Sequence, residues 1–366
     1  MNQELFYQIA LTMVPQIGNV YARSLVEKFG SASGVFKAKA KQLGLIEGMG
    51  KVRIDSILKF DFKEVENEIR FIEKHHIQPL FFNDPAYPQK LLHCYDSPVL
   101  LFYKGTADLN TRRIMGIVGT RNQSEYGKNM CENFIEGLRE MEEIIIVSGL
   151  AFGVDTIAHK NSLKNGLKTV GVLAHGLDRI YPVENKAMAK EMIQNGGLLT
   201  EFRSGTIPDK MNFPNRNRIV AGMCDCIIVV ESGKKGGSLI TAEIANGYNR
   251  DVFAFPGRVG DIKSEGCNYL IKTNKAALVT SAEDVLQNMG WSEKKKITRK
   301  VQRELFIDLA EDERMIVKIL TDHGPIHLDE LYLQTELNGS VVAKALLTLE
   351  MQGIIKVLPG RLYELS

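Results

Sequence analysis

The sequence predicts an α/β fold with a mostly parallel sheet, a small all-helical domain before it and a small helical domain with a hairpin after it. Short apolar runs alternate with helical spacing through the middle of the chain. Helical periodicity interrupted by glycines fills the amino-terminal part, and three helical segments followed by a short hairpin fill the carboxy-terminal part. The predicted boundaries are 1–75, 76–289 and 308–366, with a linker at 290–307.

Composition limits the classes of protein that this chain can represent. Its 366 residues suffice for two or three domains, and its net charge of +2 means that affinity for nucleic acid would require local clusters of cations. No apolar run approaches the ~20 residues of a membrane span, and the amino terminus lacks the features of a signal peptide, so we expect a cytoplasmic protein without membrane contact. Five dispersed cysteines indicate free thiols, and no metal or cofactor is predicted.

Residues 1–75 contain two similar glycine turns. In VPQIGNVYARSLVEKFG and IEGMGKVRIDSILKF, an apolar–glycine turn directly precedes a helix. This resembles the paired helix-hairpin-helix units of SAM-like domains, in which the amides of the turn can hold a DNA phosphate. A helical bundle whose tight turns require glycine fits the same pattern, and both interpretations stay open.

The middle of the chain reads as a Rossmann-like domain. Residues 76–110 are proline-rich and predict an ordered, extended lead-in segment. Between Arg113 and about Met289, short apolar runs alternate with helical or mixed segments, which predicts βαβ units and a sheet covered on both faces. The runs are RIMGIVGTR, EIIIVSGLA, TVGVLAHG, GLLTEF, CDCIIVVES, DVFAFPG and AALVTS.

The carboxy-terminal part predicts a basic linker and a winged-helix domain. Residues 290–307 carry six Lys or Arg against two Glu. Residues 308–366 read as three helices and a small β-hairpin, and the third helix of such a module can enter a DNA groove. That helix has only Lys344 as a cation, so a protein contact or a structural role is an equally open interpretation.

The candidate binding residues lie in loops after the predicted strands. Because the carboxyl ends of parallel strands share one sheet edge, we expect these loops to meet. The first loop, Gly119-Thr120-Arg121, combines a tight turn with a hydroxyl and a guanidinium whose planar fork matches phosphate oxygens. After the fifth strand, Gly237 and Ser238 begin a helix whose exposed amides suit a phosphate.

Cations and aromatic rings in these loops predict a groove for a single strand of nucleic acid. Cations bind the backbone of such a strand, and rings stack on its bases. Each cation could instead pair with an acidic residue on a solvated face, but clustering on successive loops favours the groove. The sequence predicts an irregular loop after the fourth strand, which carries Lys210, Phe213, Arg216 and Arg218. The other predicted groove residues are Ser148, Gly149, Gly176 and Lys186, with Tyr181, Lys234 and Lys235 beside them.

Signals for catalysis are weak. The sequence has neither a Gly-x-x-x-x-Gly-Lys-Ser/Thr loop nor a Gly-x-Gly-x-x-Gly turn after the first strand. No nucleophile, base and orienting group are visible as a set, so His159 and His175 are interpreted as structural.

The chain contains a series of motifs in the order in which they occur in the DNA-processing protein A family (DprA, also called Smf), and it resembles that family. The resemblance implies a core that binds single-stranded DNA, no enzymatic activity, and help in loading the RecA recombinase during natural transformation. It also implies a homodimer through a surface near Asn268 to Leu278. The motifs are VGTRNQSEYG, SGLAFGVDTIAH, HGLDRIYPVEN, FPNRNRIVAG, GGSLITAEIA, DVFAFPG and EGCNYLI.

The resemblance also implies roles for individual residues. Arg121 would hold a phosphate, Lys210 and Phe213 would hold backbone and base, and Lys186 would extend the groove. The alternative is a LOG-type nucleotide phosphoribohydrolase, which shares this fold and has a Gly-Gly-x-Gly-Thr-x-x-Glu loop. Here Glu243 follows Thr241 by two positions instead of three, and on a helix that difference rotates the carboxylate by about 100°.

Overall fold

The structure is a computed structural model that describes residues 3–292, 309–335, 337–358 and 362–365. Its contacts divide the chain into two compact units, Met1–Ser292 and Glu293–Ser366. Most of the predicted basic linker, 290–307, lies outside the described residues.

The first unit begins with helices, as the periodicity predicts. Their apolar sides enclose a core that includes Leu11, Leu25 and Ile69, and this core continues onto Leu100 and Phe102 of the sheet. The helices are α1 (Gln3–Met13), α2 (Asn19–Phe29), α3 (Ala32–Lys37), α4 (Ala40–Leu43), α5 (Lys51–Leu58) and α6 (Lys63–Lys74).

The two predicted glycine turns directly precede α2 and α5, at Gly18 and Gly50. Arg53 joins the turns, because its Nε donates to the carbonyl of Gln16 at 3.2 Å and its Nη1 donates to the carbonyl of Gly48 at 2.6 Å. The same guanidinium lies over the ring of Tyr21, 4.3 Å from the centroid. The two turns therefore form one packed unit.

Within residues 3–292, the core is a nine-stranded sheet with the order β1-β2-β6-β5-β4-β3-β7-β8-β9. The predicted apolar runs form β3 to β9, which pair in parallel. The lead-in segment contributes β1 and β2, and β2 pairs antiparallel with β1 on one side and with β6 on the other. The strands are β1 (Gln78–Phe81), β2 (Leu100–Gly105), β3 (Arg113–Val118), β4 (Ile144–Ser148), β5 (Lys168–Val172), β6 (Gly196–Thr200), β7 (Cys226–Val229), β8 (Asp251–Ala254) and β9 (Ala277–Leu278).

Helices cover both faces of this sheet, and the strands alternate between the two layers. In β4, Ile145 and Val147 pack in one core cluster, whereas Ile144 and Ile146 pack in the other. The predicted α/β class with a mostly parallel sheet is therefore confirmed. The helices are α7 (Gln89–Leu92), α8 (Glu125–Glu136), α9 (Val154–Lys164), α10 (Lys186–Gln194), α11 (Asn212–Met223), α12 (Gly237–Gly247), α13 (Glu265–Lys272) and α14 (Ala282–Asn288).

The strand order reverses at β3. The chain runs from β3 through β4 and β5 to β6, and α11 then returns it to β7 on the other side of β3. Such a reversal separates the loops at the carboxyl ends of neighbouring strands and leaves a crevice between them. The loops after β3 and β7 flank that crevice.

The second unit has the topology of a winged helix, as predicted. Its helices enclose a core that includes Ile316, Leu320, Leu331, Leu346 and Leu349. The predicted hairpin is part of a sheet with the order β10-β12-β11. The elements are α15 (Glu311–His323), β10 (Ile326–His327), α16 (Leu328–Thr335), α17 (Gly339–Met351), β11 (Ile355–Leu358) and β12 (Leu362–Leu365).

All five cysteines are free and buried, which agrees with the interpretation as reduced thiols. Among the described residues, no helix combines the length and apolarity needed to cross a membrane. The same residues contain no cluster of three or more His, Cys, Asp or Glu side chains suited to a metal ion.

Candidate nucleic-acid interface

A cavity of about 480 Å³ opens in the crevice beside β3. Its walls are the loops after β3, β4, β7 and β8 together with the first turns of α11 and α12. We call it the phosphate cavity. Eight predicted groove residues line it: Gly119, Thr120, Arg121, Gly149, Phe213, Arg216, Gly237 and Ser238.

The loop after β3 is clamped between two neighbouring elements. The amide of Thr120 donates to the carbonyl of Glu231 at 2.8 Å, and the carbonyl of Thr120 accepts from the amide of Val154 at 3.1 Å. A Cβ at Gly119 would lie 2.5 Å from Cγ2 of Val154, so the turn requires glycine. The clamped loop presents Arg121 at the rim, where its guanidinium lies 4.8 Å from the ring centroid of Phe213.

Arg216 forms the floor of the phosphate cavity. Its residue is only 4% exposed, and its Nη1 donates to the carbonyl of Val172 at 2.8 Å. Its buried Nε has no hydrogen-bond partner among the described residues. Burial lowers the pKa of Arg216, against the opposing effect of Asp155. A buried guanidinium is costly alone and is stabilised by an anion beside it.

Asp155 fixes the loop that covers Arg216. Its Oδ2 accepts from the amides of Gly149 at 3.2 Å and Ala151 at 3.3 Å. Burial raises the pKa of Asp155, although the charge of Arg216 opposes the shift. The carboxylate therefore stabilises both the loop backbone and the buried cation.

The charge of the phosphate cavity is positive. Its described lining residues include four cations and a single carboxylate, that of Asp155. The cations are Arg121, Arg216, Lys235 and Lys263. The first turn of α12 adds a partial positive charge, since Gly236 provides no side-chain cap and Gly237 borders open space. The hydroxyl of Ser238 donates to Ser232 at 2.9 Å, so its proton is already used within the protein. These groups together suit a phosphate.

The segment that carries Phe213, Arg216 and Arg218 is the helix α11, and the prediction of an irregular loop was wrong. Pro214 lies in the first turn, where its missing N–H costs no helical hydrogen bond. Residues two positions apart on a helix project in nearly opposite directions. Phe213 and Arg216 therefore face the cavity together, and Arg218 points away from it.

Arg218 is bound on the other side of α11. Its guanidinium donates to the carboxylate of Glu201 and to the carbonyl of Asp96, and both side chains of the ion pair are largely buried. The structure therefore does not bring Arg218 to the predicted groove.

Four other predicted groove residues also lie outside the phosphate cavity. Ser148 is buried and donates its hydroxyl to the carbonyl of Ile117 at 2.6 Å, because it still belongs to β4. The amide of Gly176, in a buried turn, donates to the carbonyl of Thr206 at 3.1 Å. Lys186 and Lys210 are exposed, at the start of α10 and just before α11.

Sequence reasoning missed Lys263 and Asn217, which line the phosphate cavity. Lys263 lies in the loop after β8. The expectation that loops at the carboxyl ends of parallel strands meet at one sheet edge therefore applies to Lys263 as well. Asn217 follows Phe213 by four positions and shares its helix face, which only the correct assignment of α11 reveals.

The structure also locates the residues predicted for the dimer surface, Asn268 and Leu278, and the glutamate of the enzyme alternative, Glu243. Asn268 uses both atoms of its amide on Gly257, accepting and donating at 3.1 Å, whereas Leu278 on the edge strand β9 is 52% exposed. Glu243 accepts from Nζ of Lys275 at 2.6 Å and does not line the phosphate cavity.

The comparisons with known proteins agree with this architecture. The family described as DNA recombination-mediator protein A matches residues 78–290, and the DprA winged helix domain matches residues 307–361. The chain is 47% identical over 203 residues to DNA processing protein DprA of Streptococcus pneumoniae, covering 56% of this chain and 71% of the relative. It is 31% identical to Protein Smf of Synechocystis, with 99% of each chain covered.

The similar solved structures include two of DprA proteins. The X-ray structure of DprA from Streptococcus pneumoniae has a TM-score of 0.67 and 35% identity, covering 78% of this chain and 98% of that one. A structure of DprA from Helicobacter pylori, which is described as having a unique single-stranded DNA binding mode, has a TM-score of 0.53 and 29% identity, covering 58% of this chain and 95% of that one. With its core and its winged helix both matched, the chain belongs to the DNA recombination-mediator protein A (DprA/Smf) family.

Proposed function

We propose that this chain binds single-stranded DNA at the phosphate cavity and acts as a recombination mediator. The observation that carries the proposal is Arg216, a buried guanidinium at the floor of a cavity that four cations and one carboxylate line. The reported single-stranded DNA binding of the Helicobacter pylori relative supports the same ligand.

An unpaired strand fits this site better than a duplex. Arg121 and Phe213 lie together at the rim, so a phosphate bound below them places its base beside an aromatic ring. The bases of a duplex are paired and stacked, whereas those of a single strand are free to contact a ring. Lys186 and Lys210, exposed outside the cavity, extend the positive surface along which a backbone would run.

We infer from family membership that the partner receiving the strand is the RecA recombinase, during natural transformation. We also infer a homodimer in which the edge strand β9 contributes Leu278, which is exposed. Asn268 keeps its amide within the chain and contributes no polar side-chain contact of its own. A dimer would join two cavities on one long strand and raise avidity.

The proposed role is binding without catalysis. In the alternative, a LOG-type phosphoribohydrolase, a glutamate on the helix after the glycine loop would act on the ligand. Glu243 instead forms an ion pair with Lys275 outside the cavity, which supports the binding role. Release of free base from nucleoside monophosphates, abolished by Glu243→Gln, would favour the enzyme.

The test is a titration of the full chain with a labelled single-stranded oligonucleotide and with its duplex, at two salt concentrations. We expect tighter binding of the single strand and weaker binding at the higher salt concentration, because cations release counterions from the bound backbone. Equal affinity for both forms, or affinity that does not respond to salt, would contradict the proposal.

A further inference from the structure

A buried glutamate joins the two loops that flank the phosphate cavity. Glu231 follows β7 by two positions and is only 1% exposed, and it does not itself line the cavity. Its backbone carbonyl accepts from the amide of Thr120 at 2.8 Å. Its carboxylate accepts from Ser124, with Oε2 2.8 Å from the amide and Oε1 2.5 Å from the hydroxyl. Glu231 therefore holds both ends of residues 120–124, which we call the arginine loop.

The arginine loop carries Arg121 between these two anchors. Arg121 and Asn122 are exposed, belong to no helix or strand, and line the phosphate cavity. A long cationic side chain on a short loop must be ordered before it can hold a phosphate, and ordering that takes place on binding lowers the affinity. Anchoring both ends of the loop in advance reduces this cost.

The first turn of α8 is shaped to receive the carboxylate of Glu231. Ser124 is the N-cap of α8, and its hydroxyl also accepts from the amide of Gly127 at 3.1 Å. A Cβ at Gly127 would lie 2.7 Å from Oε2 of Glu231, so glycine is what permits this close approach. The amino-terminal end of a helix stabilises a negative charge, and hydrogen bonds to a charged acceptor are strong. The anchor at Ser124 is therefore tightly packed and charge-assisted.

The charge of Glu231 opposes the ligand that the phosphate cavity suits. Ser232 and Gly233, the next residues in the chain, line that cavity, so the carboxylate lies close to the site of a negative group. Burial of a carboxylate costs free energy, and like charges repel each other. What Glu231 can contribute to binding is therefore the position of the arginine loop and not its charge.

We propose that Glu231 is a positioning residue for strand binding, which fixes the arginine loop so that Arg121 is in place before a phosphate enters the cavity. This inference rests on the proposed function and adds a residue that does not touch the strand. Charge and position predict opposite results for removal of the carboxylate. By charge alone the strand would bind more tightly, whereas loss of the anchor makes it bind more weakly.

The experiment titrates the full chain and its variants with a labelled single strand of deoxythymidines, with thermal unfolding as a check on folding. Glu231→Ala removes both contacts with Ser124 and should bind roughly 2- to 10-fold more weakly than the unmodified chain, the cost of ordering one loosened side chain. Glu231→Gln removes the charge but can still accept from the amide of Ser124. It should bind more tightly than Glu231→Ala by a similar factor.

A double-mutant cycle shows whether the effect of Glu231 passes through Arg121. In a chain that already carries Arg121→Ala, the change Glu231→Ala should cause no further loss of affinity, because the loop no longer carries the cation. Ser124→Ala removes the contact between hydroxyl and carboxylate from the other side. It should weaken binding in the same way, and only where Arg121 is present.

Glu68 provides a matched control in another part of the chain. It is 5% exposed, and its carboxylate accepts from the amide and from the hydroxyl of Ser204, in the loop after β6. Neither residue lines the phosphate cavity. Glu68→Ala should therefore leave the affinity for the strand unchanged. Equal losses in Glu68→Ala and Glu231→Ala would overturn the proposal, because they would reflect general loosening of the chain.

The other outcomes separate the positioning role from the proposed function. Unchanged or tighter binding by Glu231→Ala would overturn the positioning role, as would equal affinities of its Ala and Gln variants or a loss that persists in full without Arg121. The proposed function stands in these cases if the unmodified chain binds the strand and Arg121→Ala weakens that binding. If the unmodified chain does not bind the strand, the proposed function and the positioning role fail together.

Discussion

The guanidinium of Arg216 occupies the space that a side chain at Gly149 would need. A Cβ at Gly149 would lie 1.8 Å from Nη1 of Arg216. The loop after β4 therefore lies directly against the buried cation, and Asp155 holds it there through the amide of Gly149. Loop, carboxylate and guanidinium form one unit beneath the phosphate cavity.

Gly149→Ala should both destabilise the chain and weaken strand binding. The added methyl group must displace either the loop or Arg216, and forced overpacking of this kind costs about 1–3 kcal/mol. Thermal unfolding and anisotropy titrations measure the two effects. The matched control is Gly247→Ala at the end of α12, where a Cβ meets nothing within 4 Å. If both substitutions were equally harmless, the close contact would not exist.

Arg121→Ala and Lys210→Ala should weaken binding for all strand sequences. Each should also reduce the slope of log affinity against log salt by about 0.7, the value for one lost phosphate contact on a single strand. Arg139 and Lys168 are exposed at the opposite edge of the sheet, before β4 and at the start of β5, and their alanine variants serve as controls. A salt slope that changes equally in all four variants would argue against a localised site.

His159 should make the chain less stable as the pH falls below neutrality. Burial, aided by the charge of Arg216, lowers the pKa of His159 to about 3. The unfolded chain takes up a proton near pH 6.5 and the folded chain does not. The contribution of His159 to the free energy of unfolding is therefore fully present above pH 6.5. Below that pH, the free energy of unfolding falls by about 1.4 kcal/mol per pH unit.

The measurement is denaturant unfolding between pH 7.5 and 5.5 for the unmodified chain and for His159→Asn. The variant lacks this titration, so its free energy of unfolding should fall less steeply. Parallel curves for the two proteins would show that His159 titrates normally in the folded chain.

Deletion of residues 308–366 should leave single-strand binding largely intact. This segment carries ten acidic and five basic residues, and Lys344 is the sole cation of α17. It belongs to a compact unit separate from the one that contains the phosphate cavity. Anisotropy titrations of the truncated and full chains test this prediction, and loss of binding on truncation would place the site in the winged helix.

The sequence predicted the central sheet because β3 to β9 are short apolar runs separated by helical segments. It did not predict that the lead-in would add β1 and β2, since short strands among prolines lack a distinctive pattern. It also placed Ser148 in a loop, whereas the hydroxyl still belongs to the buried end of β4. A strand's last residue cannot be assigned from composition.

The site was predicted in outline because parallel strands bring their loops to one edge. Its details depend on which side chains of α11 face the phosphate cavity. Pro214 made this segment read as a loop, so the sequence did not show which side chains share a helix face. Read as a loop, this segment makes Arg216 and Arg218 equivalent. Read as a helix, it sends one guanidinium into the phosphate cavity and the other to Glu201.

The most direct test compares Arg216→Lys with Arg218→Lys in a single-strand titration, with thermal unfolding as a check on folding. Both changes keep a cation and remove a buried guanidinium fork from the same helix. The account predicts that Arg216→Lys lowers affinity by about 10- to 100-fold, since a charged hydrogen bond contributes about 1.5–3 kcal/mol, and that Arg218→Lys leaves affinity unchanged. Equal losses in the two folded variants, or no loss with Arg216→Lys, would contradict it.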